Sequence, residues 1–198
     1  DLQIKPDEII LMNDSIEYPV LSGDELIHSM RATGCDFVGA VHAKPHGAKA
    51  PMEAGVIFSF LIWASARTVK SGAWRNFWRS YVMTGSKYAT VRRGERALTR
   101  AMVAGRLDCK GIYTRDEFME KAKELDAGEL RIAIENGVFV DDEAFLNEAT
   151  ELLATKSNDW PALALDFIAT VVTKRNFLYS FPYITHRYLK VPFLKRGS

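Results

Sequence analysis

The run Gly55-Val-Ile-Phe-Ser-Phe-Leu-Ile-Trp63 constrains the fold more than any other stretch of the chain. Its β-branched and aromatic residues leave no continuous polar face, so it predicts a strand buried on both sides at the centre of a sheet. Such a strand needs neighbours. Asp36 to Val41 supplies one short apolar partner and Leu107 to Tyr113 another, while His42 to Pro51, with two prolines, a glycine and two lysines, reads as a loop. A fourth strand-like run, Asp7-Glu-Ile-Ile-Leu-Met12, ends abruptly in Asn13-Asp14-Ser15.

Between and after these runs the periodicity changes from two to three-and-four. Ser22-Gly-Asp-Glu25 has capping-box spacing for a helix to about Ala32. From Ser71 to about Met83, Trp74, Phe77, Trp78, Tyr81 and Val82 recur at helical spacing, with Arg75 and Arg79 on the polar flank. Gly94-Glu95 opens a helix that Gly105 ends, and Thr114-Arg-Asp-Glu117 caps an acidic one. Further on, Phe145, Leu146, Ala149, Leu152 and Leu153 form one stripe, and Ala162 to Val172 forms an apolar helix behind Pro161. The expected architecture is α/β: a mostly parallel sheet flanked by helices over residues 1–113, then a mainly helical subdomain over 114–198.

With 198 residues and 47% hydrophobic content, the chain can bury a substantial core. Its longest apolar stretch, Gly55 to Ala66, falls short of the roughly 20 residues that cross a bilayer. Cys35 and Cys109 lack metal-site spacing, which points to buried thiols in a reducing cytoplasm. Charge is segregated: residues 67–110 carry 11 basic and 2 acidic side chains, residues 111–160 carry 5 and 13. The basic segment suits an anionic partner such as a diphosphate or an acidic lipid headgroup, or it faces the acidic segment across the fold. A nucleic-acid reading would need those arginines on one face, and nucleic acid is not among the expected partners. Aromatic and basic residues also mix in 181–196, which suits either a membrane-surface segment or a terminus packing its rings home.

Two carboxylates stand where chemistry could be done. Asp14, flanked by Asn13 and Ser15, can hold a hard divalent cation or sugar hydroxyls, or it can close an Asx-turn on backbone N–H groups. Glu95 follows Arg92-Arg93-Gly94 at an expected helix mouth, where an ionised acid can serve as a general base or simply stabilise the helix dipole. His42 and His46 are separated by Pro45, which excludes a helical metal pair. No Gly-x-Ser-x-Gly elbow, Gly-x-Gly-x-x-Gly turn or Walker loop is present in the sequence.

Several of these pieces, in this order, resemble the rhamnan synthesis protein F family of polysaccharide-building glycosyltransferases. The matching stretches are Asp7 to Ser15 with Pro19, Asp36-Phe37, Phe60 to Trp63, Phe77-Trp78, Glu95 with Leu98-Thr99, and Pro192-Phe-Leu-Lys195. The resemblance implies a partial GT-A-like fold in which Asn13, Asp14 and Ser15 meet a nucleotide-sugar donor, typically dTDP-rhamnose, with Asp14 as ligand to a Mn or Mg ion. It also implies Glu95 as catalytic base, Arg92 and Arg93 at the donor diphosphate, and Asp36 and Trp78 on the side of a glycan or lipid-linked glycan acceptor. Location would be the cytoplasm or the inner face of its membrane. Gly55 and Ile57 stand where that family carries a His and a Gln, and about twelve residues precede the turn. Those departures imply an alternative: a non-catalytic scaffold of a polysaccharide-assembly complex, or a fragment of a longer protein.

Overall fold

The computed structural model describes residues 6–14, 16–20, 24–43, 55–58, 60–83, 85–139 and 142–195. The chain forms two compact units. One holds Thr114 and the residues before it together with the segment from Phe193, and the other holds Arg115–Pro192.

In the first unit the order is β1 (Ile9–Met12), β2 (Ile16–Glu17), α1 (Asp24–Ala32), β3 (Phe37–Ala43), β4 (Val56–Ile57), β5 (Leu61–Ala64), α2 (Ala66–Lys70) and α3 (Gly72–Ser80). Then come α4 (Lys87–Thr90), a π-helical segment (Val91–Arg96), α5 (Ala97–Ala104) and β6 (Cys109–Tyr113). The sheet is mixed, not mostly parallel. β3 pairs with β6 in parallel, but β3 with β5, β3 with β4 and β1 with β5 are all antiparallel.

The central strand is β3, and the run 55–63 is its interrupted partner. Gly39 faces Ile62 while His42 faces Ile57, so five residue steps on one strand oppose three on the other. The run is therefore split into β4 and β5. Leu61 to Ala64 are all buried, as a strand covered on both faces requires. By contrast β1 pairs only with β5 among the described residues, and it alternates: Ile9 and Leu11 are half-buried, whereas Ile10 and Met12 are exposed.

Alternation also sorts the helices. Phe37, Ile62 and Ala64 join Trp74 and Phe77 of α3, Leu98 and Met102 of α5, and Leu107 in one apolar cluster. Val38 and its register partner Trp63 point to the opposite face. There the Trp63 indole N–H donates to Glu8 at 2.8 Å, and the same carboxylate accepts from Arg31 in the last turn of α1. Gly39 and its register partner Gly111 lie where the strands crowd: a Cβ on Gly39 would stand 2.1 Å from Ile57 Cγ2, and one on Gly111 2.4 Å from His42 Cβ.

The second unit is helical: α6 (Arg115–Lys123), α7 (Ala127–Glu135), α8 (Glu143–Ala154), α9 (Trp160–Lys174), α10 (Phe177–Ser180) and α11 (Pro182–Arg187). Pro161 sits in the first turn of α9, and Asp126 with Glu129 makes a capping box for α7. A network of phenylalanines fills the core, Phe139 lying 5.7 Å from both Phe167 and Phe181, and Phe118 5.2 Å from Phe177. Leu146, placed by sequence in the apolar stripe of α8, is 53% exposed instead. The apolar residues between 181 and 191 are buried: Phe181, Ile184, Leu189 and Val191 pack home and offer no surface. The short strand β7 (Leu194–Lys195) returns to the first unit and pairs antiparallel with β2.

Two tests follow from these contacts. Gly39→Ala should lower stability by about 1–3 kcal/mol, read as a reduced urea midpoint, because Ile57 is fully buried and has no room to retreat. Ile57→Ala in the same chain should recover part of that loss, so the double change costs less than the sum. Separately, Arg31 and then the Trp63 indole hold the Glu8 carboxyl down from 4.5 to about 2. A depressed carboxylate stabilises the fold above its unfolded value, and that stability is lost as pH falls towards 2. Urea midpoints should therefore fall between about pH 5 and pH 2 in the wild type and fall less steeply in Glu8→Gln.

Candidate functional site

Strand direction decides which candidate residues can meet. β1, β3 and β6 run the same way, since β1 and β3 are each antiparallel to β5 and β6 is parallel to β3. Asn13 and Asp14 follow the last residue of β1, so they lie at the end of the sheet where β3 and β6 also finish. Asn13 N–H donates to Phe60 O at 3.2 Å, which fixes the turn to the start of β5. Asp14 is exposed and Asn13 half-buried. Ser15 lies outside the described residues, as does Ser22 of the expected capping box.

The closing stretch of the sequence comes to the same place. β7 sets Lys195 opposite Ile16 and Leu194 opposite Glu17, directly after the turn, and the buried Phe193 ring lies 6.5 Å from Phe60. The stretch Pro192-Phe-Leu-Lys195 thereby braces the segment that carries Asp14.

Glu95 is reached along the β4–β5 link from its other end. Ile57 N–H donates to Thr99 Oγ1 at 3.1 Å, and the Thr99 hydroxyl donates to the carbonyl of Glu95 at 3.0 Å. Glu95 does not open a helix. Ser86 caps the helix, its Oγ accepting from Ala89 N–H at 3.3 Å, and the chain stays helical from Lys87 to Ala104. Glu95 therefore sits in the interior, half-buried, where the favourable field of a helix N-terminus is absent. What distinguishes the position is the π-helical winding from Val91 to Arg96, a rare geometry that recurs at functional sites. Arg92, Arg93 and Arg96 all project into solvent from this segment, and none forms an ion pair with another described residue.

Trp78 lies elsewhere on the unit. It is 40% exposed on α3 and packs edge-on to Trp74, Phe77 and Tyr81 at 5.0–5.7 Å. With Ile9, Leu11, Trp74, Arg75 and Arg79 it lines an open groove of about 490 Å³ between α3 and the edge strand β1.

Asp36 is at the opposite end of the sheet. It precedes β3, seven residues upstream of the strand's last residue, so about 20 Å of strand separates it from the end that carries Asp14. Its carboxylate is buried and engaged: Oδ2 accepts from Arg67 at 2.7 Å and from the Asp108 N–H at 3.0 Å. The structure thus brings Asn13, Asp14, Glu95, Arg92 and Arg93 to one sheet end, leaves Trp78 on the flank, and sets Asp36 apart as a structural tie.

Among the described residues no three His, Cys, Asp or Glu side chains gather into a group able to hold a metal ion. Asp14 brings one carboxylate, with Asn13 as a neutral oxygen, and that set does not make a resident cation site by itself. Thr99, named in the sequence only as part of a matching stretch, is the residue whose role the structure supplies. It is fully buried, and a threonine inside an apolar helix face carries no signal of its partners. Compared with known proteins, the chain matches no family model, no curated protein and no solved structure at a significant level.

Thr99→Val keeps the shape and removes both hydrogen bonds, leaving the buried Ile57 N–H without its acceptor. The expected cost is about 1–3 kcal/mol of stability, and hydrogen exchange at Ile57 should accelerate more than at the Gly39 amide on the central strand.

Proposed function

We propose that this chain belongs to a glycosyltransferase that moves a sugar, of the rhamnosyl type, from a nucleotide-sugar donor to a glycan or lipid-linked glycan during cell-surface polysaccharide assembly. One observation carries the reading: the Asn13-Asp14 turn and the Glu95 segment, some eighty residues apart in sequence, lie at the same end of the sheet, joined through Phe60, Ile57 and Thr99. The resemblance of the same stretches to polysaccharide glycosyltransferases supports it further.

In this reading Asp14 accepts hydrogen bonds from hydroxyls of the donor sugar and so orients the anomeric carbon. The Glu95 carboxylate takes the proton of the acceptor hydroxyl as its oxygen bonds to that carbon. The bond from the anomeric carbon to the diphosphate oxygen breaks, and its electron pair leaves with the nucleotide. Arg92 and Arg93 face the negative charge that grows on the leaving diphosphate, and they act without competition from carboxylate partners among the described residues. Attack opposite the leaving group inverts the anomeric configuration. A Mn²⁺ or Mg²⁺ ion belongs to this scheme as a companion of the donor diphosphate, arriving with the substrate.

Glu95→Gln in the full-length protein is the test. Turnover of the nucleotide sugar should fall by about 10²–10⁴-fold, the range for loss of a general base, while donor affinity by calorimetry stays within about twofold. Full activity in the variant would remove Glu95 from the mechanism. Absence of donor binding by the wild-type protein, with or without Mn²⁺, would favour the scaffold reading.

A further inference from the structure

The second half of α3 and the residues after it expose what the interior of the unit does not absorb. Trp78 is 40% exposed, Val82 67% and Met83 87%. Three large apolar side chains within six positions leave a protruding apolar tip, and Arg75 and Arg79 stand exposed beside it. Tyr81 connects this tip to the π-helical segment. Its ring stacks on Phe77 at 5.6 Å, and its hydroxyl oxygen lies 3.5 Å from the place a Cβ on Gly94 would occupy. Arg92, Arg93 and Arg96 belong to the same segment as Gly94. Glu95 is the acid on that segment, and α3 has none. Among the described residues, none of the five arginines forms an ion pair.

We propose that this face, Trp78, Val82 and Met83 flanked by Arg75 and Arg79, docks on the surface of an anionic lipid bilayer. Charge complementarity selects the partner's sign, and the protruding apolar side chains select its kind. A nucleic acid would meet the arginines with its phosphates but has no use for exposed Val82 and Met83. A bilayer takes up both, the apolar tip entering the interfacial region with Trp78 at headgroup level and the guanidinium groups on the lipid phosphates. Among the described residues no helix is long and apolar enough to cross a membrane, so the contact is peripheral. The proposal stands independently of glycosyl transfer, since nothing in it uses Asp14 or the carboxylate of Glu95.

Co-sedimentation with vesicles tests it. The wild-type protein should bind vesicles of phosphatidylcholine containing about 40% phosphatidylglycerol and leave pure phosphatidylcholine vesicles unbound, with binding that weakens as salt rises. Val82→Ser with Met83→Ser should reduce partitioning by about fivefold or more at low salt. Arg75→Gln with Arg79→Gln should reduce it by about tenfold or more. All four positions are exposed, so urea midpoints of the variants should match the wild type. Failure of the wild type to bind anionic vesicles at low salt overturns the proposal without needing any variant. So does equal binding by wild type and both variants. Tight binding to single-stranded RNA that is indifferent to the Val82/Met83 change, with no vesicle binding, would assign the face to nucleic acid instead.

Discussion

Asp36 is the point from which the first unit is hung. Its N–H donates to Asp108 O at 2.9 Å, its carbonyl accepts from Ser65 N–H at 2.9 Å and from the Thr68 hydroxyl at 2.7 Å, and its carboxylate takes Arg67 and the Asp108 N–H. One residue thereby joins the start of β3 to the end of β5, the first turn of α2 and the approach to β6. The carboxylate is nearly dry while the Arg67 side chain is 63% exposed, so the pair keeps half its hydration and avoids the full desolvation cost of a buried ion pair. Without the acid, the Asp108 amide would lose its acceptor and the parallel pairing of β3 with β6 would lose a tie at its start. An Asp just ahead of an apolar strand looks, in sequence, like a binding residue; its partners lie 31 and 72 positions away and cannot be read from it.

Legibility followed the same division between local and distant causes. The strands expected within 7–12, 36–41, 55–63 and 107–113 occur at 9–12, 37–43, 56–57 with 61–64, and 109–113, and the aromatic helix expected from Ser71 to about Met83 ends at Ser80. The Gly105 stop and the Pro161 start rest on caps contained within the segment and stand where they were expected. Strand direction was not contained in any segment. It depends on how the link between two strands runs, which the apolar pattern of neither strand records. The break between β4 and β5 is invisible for a related reason: the run 55–63 reads as one strand until the register with β3 sets five residue steps against three. Glu95 was misplaced because Gly94 reads as a helix start, whereas Ser86, eight residues earlier, caps the helix and Gly94 is tolerated inside it against Tyr81.

The two ends of the sheet carry different kinds of polar group as a result. Around Asp36, every polar atom named is satisfied by another part of the fold, and the group is closed. At the other end, Asp14 and the arginines of the π-helical segment face solvent, and the buried polar contacts beneath them, Asn13 to Phe60 and Ile57 through Thr99 to Glu95, involve backbone and a hydroxyl in place of charge. Charge that the fold needs is consumed at one end, and charge that the fold does not need is displayed at the other. A binding site for an anionic substrate requires the second condition, because a guanidinium already paired to a carboxylate has little left to give a phosphate.

The π-helical segment explains how that display is held in place. An α-helix from Lys87 to Ala104 with regular winding would advance each side chain by one constant angle, and the five-residue hydrogen-bond spacing between Val91 and Arg96 interrupts that advance. The Thr99 hydroxyl donates to the Glu95 carbonyl while it accepts from the Ile57 amide, so the helix is tied to β4 just after the π-helical stretch. The buried stretch beyond it, Leu98, Thr99 and Met102, follows the face set by the core, while Arg92, Arg93 and Arg96 take whatever direction the altered winding leaves them. One element thus serves the core through Leu98, Thr99 and Met102 and presents Arg92, Arg93 and Arg96, which form no ion pair among the described residues, to solvent.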